Sequence, residues 1–394
     1  MTDKPCDKSK CTACFACVNI CPKNCIDLTV QNGAYYPQID EEKCIDCKLC
    51  EKVCPANNSL EFAEPSDVYA SYVKDENSRK ASTSGGIASL ISKKFIENGY
   101  PVYATSFGNS LNVDFCRYES LTDLENARGS KYVHSHTGKV FGQIAEDLKH
   151  GKVLFIGVPC QNAGLLNYIK ALKTPAENLY TIDIICHGSP DRETFNQYSK
   201  YFLGEKYNLA KTVKFRKGNN YHLSYLDEKG KIIKSSAVRD GIYLSHFLDG
   251  YIFRENCYSC PYARKERITD ITLGDFWGIG SEAPFDGDKT NGINAVLINT
   301  EKGKSIFNDI SNDAVSYKRT LSEAVKGNTQ LRNPAADNEY SKKFRQLCKS
   351  GNAVSAMEKC YPKKLILIKI RSFIHRHKIL YSIIKKLPYL KEKF

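Results

Sequence analysis

The sequence predicts two modules of different class in tandem: a small cysteine-rich α+β module and a larger α/β domain with a largely parallel or mixed sheet. A basic helical tail follows them. Three observations carry this: a duplicated cysteine run near the amino end, apolar runs alternating with helical patterns through the middle, and a charge imbalance at the carboxyl end.

The duplication is Cys11-x2-Cys14-x2-Cys17-x3-Cys21-Pro22, answered by Cys44-x2-Cys47-x2-Cys50-x3-Cys54-Pro55. Each run has the bacterial ferredoxin spacing for a 4Fe-4S cluster, in which three thiolates wrap one cluster and the fourth reaches the other. The expected ligand sets are Cys11, Cys14, Cys17 and Cys54 for one cluster, and Cys44, Cys47, Cys50 and Cys21 for its neighbour. Tetrahedral zinc is satisfied by four thiolates and needs neither a third cysteine in each triplet nor the proline after the fourth. Between the runs, Ile26–Val30 and Ala34–Pro37 flank Asn32-Gly33, the signature of a hairpin with a type I′ turn. Cys6 and Cys25 fall outside both spacings and are expected only to pack. Residues 1–60 make up this two-cluster ferredoxin module, which passes electrons one at a time.

The rest of the 394 residues suffice for a large core or two lobes. A hydrophobic content of 42% with 26% charged residues is that of a globular protein. Of seventeen cysteines, eight stand in cluster spacings, so a reducing compartment is expected. No leader precedes Cys6 and no apolar run approaches the length of a membrane span, which makes a cytoplasmic location the expectation. No Gly-x-Gly-x-x-Gly opens a helix and no Gly-x4-Gly-Lys-Ser/Thr occurs, so neither a dinucleotide fingerprint nor a P-loop is present. Residues 361–394 hold ten Lys or Arg against one acid, Glu392, a net +9 out of +13 for the chain. A basic tail on a nearly neutral body argues against nucleic acid as a partner, since its footprint would lie across a folded surface.

After an aperiodic linker at 55–67, a strand is expected at Val68–Val73. Ser82-Thr83-Ser84-Gly85-Gly86 then opens a helix running to about Asn98. The unpaired N–H groups of such a start suit a phosphate or a flavin edge, and the same residues suit an ordinary capped helix. Strands follow at Pro101–Phe107 and Val113–Tyr118, then a helix at Lys139–His150. The strand Val153–Val158 leads into the helix Gln161–Leu172, and the strand Leu179–Ile185 into a helix from Asp191 to about Phe202. Alternation of this kind implies βαβ units, with ligands at the carboxyl ends of strands. Cys160 and Cys186 fall there. Further strands are expected at Thr212–Phe215, His222–Leu226, Ile232–Ser235 and Ala295–Asn299.

Five motifs in this order, Ser82-Thr-Ser-Gly-Gly86, Gly157-Val-Pro-Cys-Gln161, Cys186-His-Gly188, Cys257-x2-Cys260-Pro and Gly274-Asp-Phe-Trp-Gly278, resemble the coenzyme F420 hydrogenase/dehydrogenase beta-subunit family. The resemblance covers roughly residues 1–345. It implies a non-Rossmann domain that binds FAD, with residues 68–205 as its flavin-binding amino-terminal part and 206–345 as its carboxyl-terminal part. It also implies a third 4Fe-4S cluster on Cys160, Cys186, Cys257 and Cys260. The alternative is that Cys160 and Cys186 are small buried hydrophobes and only the Cys-x2-Cys pair binds metal.

By the same resemblance, Ser82, Thr83, Ser84, Gly85 and Gly86 cradle the flavin. Lys131, in Gly129-Ser-Lys-Tyr132, is the catalytic candidate because it brings positive charge to the reactive ring, and Tyr132 and Asp275 are further contacts. Trp277 either lines the site or belongs to the core. His134, His136 and His187 are expected to pack or hydrogen-bond. The implied function is an FAD- and 4Fe-4S-dependent oxidoreductase. A ferredoxin or other electron carrier is one partner, and an organic small molecule or a deazaflavin is the other. The alternative is a non-catalytic electron-transfer subunit of a larger redox complex.

Residues 355–394 form the tail. Ile366, Ile370, Phe373, Leu380, Ile384 and Leu387 recur at helical intervals, with Lys364, Arg371, Arg376, Lys378, Lys385 and Lys386 mostly on other faces. A basic amphipathic helix of this kind either lies on an anionic membrane surface, peripheral on the inner face, or packs on the enzyme.

Overall fold

The computed structural model describes residues 4–218 and 220–376. The tail positions Lys378, Leu380, Ile384, Lys385, Lys386 and Leu387 lie outside the described residues.

The amino-terminal module consists of helix α1 (Ala16–Ile20), the hairpin β1 (Ile26–Gln31) and β2 (Ala34–Ile39), and helix α2 (Leu49–Lys52). Asn32 and Gly33 take φ of +54° and +76°, the left-handed pair that a type I′ turn demands. The chain then crosses to β3 (Asp67–Val73), α3 (Glu76–Ala81), α4 (Ile87–Glu97), β4 (Val102–Phe107), β5 (Val113–Tyr118), α5 (Leu121–Leu124), α6 (Val140–Asp147), β6 (Val153–Gly157), α7 (Pro159–Leu172), β7 (Leu179–Ile184) and α8 (Arg192–Leu203). A second stretch holds β8 (Thr212–Lys217), β9 (Asn220–Leu226), β10 (Ile232–Ala237), α9 (Ile242–Leu248), β11 (Ile271–Asp275), β12 (Asn294–Ile298), α10 (Glu301–Asn308), β13 (Ala314–Arg319), α11 (Leu321–Gly327), α12 (Glu339–Cys348), α13 (Ala353–Cys360) and α14 (Pro362–Arg376).

Eight strands make one sheet in the order β13-β3-β12-β11-β7-β6-β4-β5. Its centre, β11, β7, β6 and β4, is parallel. Both flanks are antiparallel, with β13, β3 and β12 on one side and β5 on the other. The sheet is therefore mixed. Helical crossovers supply only the central strands, while β3, β12 and β13 come together from opposite ends of the domain. Strands before and after residue 205 share this sheet.

Helices α4 and α10 cover one face through Ile87, Ile91, Phe95, Ile306 and Phe307. On the other face, Phe141 and Ile144 of α6 and Leu165 and Ile169 of α7 share a core with Cys14, Ala16, Ile20 and Val53 of the amino-terminal module. Burying these groups together makes the module part of the domain's own core. The three-stranded sheet β10-β9-β8 packs with α8, α9, α12 and α13 around a second core that includes Phe195, Tyr225, Tyr243 and Met357.

Helix α14 docks on this second core through Ile368, with Leu365 half-buried beside it. Lys364 pairs with Asp249 and donates to the Ser245 carbonyl (3.2 Å), fixing the start of the helix on α9. Ile366, Leu367, Ile370 and Phe373 are exposed. The face expected to be apolar is thus outward, and burial falls on Ile368 and Ile374 instead. No helix among the described residues is long and apolar enough to cross a membrane.

Candidate redox site

Each cysteine run curls through two non-glycine residues in the left-handed region, Ala13 and Phe15 in the first and Asp46 and Lys48 in the second. L-residues enter this region at a cost, and its repetition at matching positions gives two loops of the same shape. Cys11, Cys14, Cys17 and Cys54 line one cavity and Cys21, Cys44, Cys47 and Cys50 another. Cys54 thus stands with the first run and Cys21 with the second. Cys6 and Cys25, expected only to pack, are on these same walls. Cys25 Sγ lies 3.3 Å from Cys21 Sγ, and Cys6 is in hydrogen-bond reach of Cys11 and Cys54. The thiols ring cavities. Among the described residues no three or more His, Cys, Asp or Glu side chains are arranged to hold a metal ion.

The first cavity faces the domain. A Cβ placed on Gly164, in the middle of α7, would stand 2.7 Å from Cys14 Sγ and 2.8 Å from its Cβ. Only glycine admits Cys14 so close to the helix. Around this contact, Thr137 Oγ1 donates to the Cys14 carbonyl (3.1 Å), His134 Nε2 to the Thr12 carbonyl (3.0 Å) and Asn19 Nδ2 to the Gly138 carbonyl (2.7 Å). His136 packs against the rings of Phe15 and Tyr35, with centroids 4.6 and 5.0 Å away. Burial holds His134 and His136 neutral, with pKa values pulled down to about 3 and about 2.

One turn before Gly164, α7 begins at Pro159, with Cys160 next. Proline suits the first helical position, and Gln161 Oε1 reaches back to accept from the Val158 N–H (3.2 Å). Cys160 is therefore in the first helical turn rather than at the end of a strand. Cys186 follows β7, and Gly188 after it takes φ of +109° with the Phe253 ring where a Cβ would lie. Cys257 is in the 3-10 turn Glu255–Ser259, and Cys260 ends it. The four thiols converge. Burial raises each of them, most fully Cys160, with Cys186 pushed to about 11 and Cys257 to about 12; charge on the neighbouring thiols adds to the shift for all but Cys260. Burial thus favours the protonated thiol over the thiolate at each of the four.

Beside Cys186, at the carboxyl end of β11, is Asp275. It pairs with Asn294 across the β11–β12 ladder. Asn294 Oδ1 accepts from the Ile87 N–H at the start of α4 (3.1 Å), and a Cβ on Gly85 would meet Asn294 N at 2.8 Å. Ser84 Oγ donates to the Ile293 carbonyl (3.1 Å), and Thr83 Oγ1 shares a hydrogen bond with Ser130 (3.1 Å). Ser82 Oγ donates to the Ser78 carbonyl (2.8 Å), while Gly86, at φ +86°, caps α4. The Ser82–Gly86 loop, Ser130 and Asp275 are thereby brought together.

Arg216 of β8 completes the cluster. It donates to Tyr132 Oη (2.7 Å), Asp275 Oδ2 (2.8 Å) and Tyr221 Oη (3.2 Å), with its guanidinium 5.8 Å from the Trp277 ring. Trp277 is 56% exposed, so it belongs to the surface of this cleft rather than to the core. The Lys131 ammonium folds back on its own loop, donating to the carbonyls of Ala127 (2.9 Å), Gly129 (3.1 Å) and Arg128 (3.4 Å). Burial lowers its pKa to about 8. Arg216 and Asn294 carry no sequence signal, because their roles arise from strand pairing.

Two outcomes are expected. Gly164→Ala displaces Cys14 and lowers stability by about 1–3 kcal/mol, as overpacking does; an unchanged denaturation midpoint contradicts the contact. In NMR of 13C-methylated lysines, a resonance lost in Lys131→Met titrates near 8. The ammonium is charged below that pH and neutral above it, so its attraction for an anion fades as pH rises through 8. Titration at the ordinary 10.5 contradicts its burial.

Comparison with known proteins gives the lineage. Residues 10–58 match the 4Fe-4S dicluster domain, and residues 150–323 match the C-terminal region of the coenzyme F420 hydrogenase/dehydrogenase beta subunit. The beta subunit of F420-dependent formate dehydrogenase 1 from Methanococcus maripaludis is 26% identical over 208 residues, 53% of this chain and 48% of that protein. The chain thus spans about half the length of the curated relative it matches. A chain of the xenon-derivatised F420-reducing [NiFe] hydrogenase complex from Methanosarcina barkeri aligns at a TM-score of 0.47 and 16% identity, over 76% of this chain and 91% of that one. Over residues 150–323 the chain is similar to the C-terminal region of the coenzyme F420 hydrogenase/dehydrogenase beta subunit, and over residues 10–58 it matches a 4Fe-4S dicluster domain.

Proposed function

We propose that the protein is an iron-sulfur flavoprotein oxidoreductase. Cys11, Cys14, Cys17 and Cys54 hold one 4Fe-4S cluster, Cys44, Cys47, Cys50 and Cys21 a second, and Cys160, Cys186, Cys257 and Cys260 a third. The observation that carries this reading is an alignment. The first ferredoxin cavity abuts α7 at Gly164, Cys160 is in the first turn of that helix, Cys186 follows the carboxyl end of β7 and Asp275 is the last residue of the neighbouring strand β11. In parallel sheets that is the edge where ligands bind.

FAD bound in the cleft would convert single electrons into a two-electron transfer. Ser82–Gly86 would hold it by their backbone, with their hydroxyls already engaged in shaping the loop. Arg216 would hold Tyr132 and Asp275 in fixed positions at its edge, and Lys131 would supply positive charge through its loop. An external ferredoxin or similar carrier would dock at the exposed Cys47 side, and an organic molecule or a deazaflavin would exchange electrons at the cleft. The name of the Methanococcus relative supports F420 as one such partner. A cytoplasmic location fits thiolate-held clusters.

The exposed Ile366, Leu367 and Ile370 of α14, with the basic residues around them, support peripheral attachment to an anionic membrane. Replacing all three with Ser abolishes co-sedimentation with phosphatidylglycerol vesicles while leaving the fold intact; equal binding by the variant rejects that attachment.

Anaerobically purified protein is expected to hold about twelve iron atoms per chain, falling to about eight in Cys257→Ser/Cys260→Ser, with FAD present in both. A wild type with about eight iron atoms removes the third cluster. Protein replete in iron but without flavin points to a non-catalytic electron-transfer subunit.

A further inference from the structure

Two buried ion pairs flank the thiols of Cys160, Cys186, Cys257 and Cys260, and they differ in what else they reach. Arg254 and Asp191 are paired with side chains 1% and 3% exposed. The Arg254 carbonyl accepts from the Cys257 N–H (3.0 Å), while Nη2 donates to the carbonyl of Tyr35 in the amino-terminal module (3.0 Å). Asp191 accepts in turn from the Tyr35 N–H (3.2 Å). Arg254 therefore spans from the turn of Cys257 to the hairpin beside Cys11, and its charge favours the thiolate at both. Its Nε is buried and, among the described residues, has no hydrogen-bond partner, a donor suited to sulfur.

Arg267 lies on the sheet side, 2.5 Å from Asp183. Its Nη1 donates to the carbonyls of Tyr262 and Arg264, both at 3.0 Å, just beyond Cys260. Its charge favours the thiolates of Cys186 and Cys260. At Cys11 and Cys186 each guanidinium outweighs its own carboxylate. Arg254 thus serves both sets of thiols, and Arg267 serves the interior set.

A guanidinium stays charged at any working pH. Fixed positive charge and N–H donors near the sulfurs stabilise the more negative, reduced state of a cluster and raise its potential. Building on the reading of these thiols as cluster ligands, we propose that Arg254 raises the reduction potential of both centres and that Arg267, which serves the interior centre alone, holds it above the centre of Cys11, Cys14, Cys17 and Cys54. An electron entering through the amino-terminal module is then drawn inward: the outer centre loses one electron and the interior centre gains it.

The test is an EPR-monitored redox titration of the anaerobically purified full chain and of variants checked for iron content and circular dichroism. In the wild type the interior midpoint lies above the outer one. Arg267→Gln/Asp183→Asn lowers the interior midpoint by at least tenfold in the one-electron equilibrium, about 59 mV, and leaves the outer one in place. Arg254→Gln/Asp191→Asn lowers both, and Arg254→Lys restores them. If the Arg254 variants lose iron, the Arg267 pair decides. An interior midpoint below the outer one, or unmoved potentials in an iron-replete Arg267 pair variant, overturns the proposal alone. A wild type with about eight iron atoms removes the interior centre and the proposal with it.

Discussion

The contact of Cys14 with α7 at Gly164 is the constraint on which the rest of the molecule depends. Electron tunnelling falls steeply with distance, so the approach of Cys14 to the helix whose first turn carries Cys160 shortens any path between the two. Here a helix gives up a side chain to allow it. The neighbouring hydrogen bonds from His134 and Thr137 end on module carbonyls, of Thr12 and Cys14, and Asn19 of the module donates in return to the Gly138 carbonyl, so backbone is held on both sides of the seam. Shared burial of Ala16, Ile20 and Val53 with α6 and α7 adds apolar area to the same seam.

That seam contains an ionic element that apolar side chains of similar volume could have replaced without loss of stability. A buried ion pair forfeits hydration that its attraction regains only with good geometry and further hydrogen bonds. Asp191 and Arg254 meet that condition by each binding the Tyr35 peptide. Asp183 and Arg267 form a second buried pair on the sheet side, in which Arg267 also donates to Thr272 and to the Tyr262 and Arg264 carbonyls while Asp183 Oδ1 has no partner among the described residues. Their retention next to thiols, instead of in the larger apolar cores, fits a role in setting electrostatics rather than in folding.

Much of this was legible in the sequence, and unevenly so. The cysteine runs and the Asn32-Gly33 turn were readable because local spacing fixes them, and strands such as Val113–Tyr118 fell where their apolar patterns placed them. The antiparallel flank of β13, β3 and β12 was not, because β3 meets β12 and β13 across more than two hundred residues. Cys6 and Cys25 were invisible to spacing, since they join their cavities from outside the triplets. Arg216 lies one residue beyond the expected strand Thr212–Phe215, and only the fold places it against Tyr132 and Asp275. In α14 the expected helix is present over Pro362–Arg376, and the period alone did not say that Ile368 packs inward while Ile366, Ile370 and Phe373 stay exposed.

The central claim is that the amino-terminal sulfurs and the interior thiols form one continuous path. Pulsed EPR of the dithionite-reduced protein tests it most directly, by measuring magnetic coupling between the paramagnetic centres. The account predicts strong dipolar interaction between a ferredoxin centre and an interior one, lost when Cys257 and Cys260 are both replaced by Ser. Isolated spectra with no coupling beyond that of the two ferredoxin centres would contradict it.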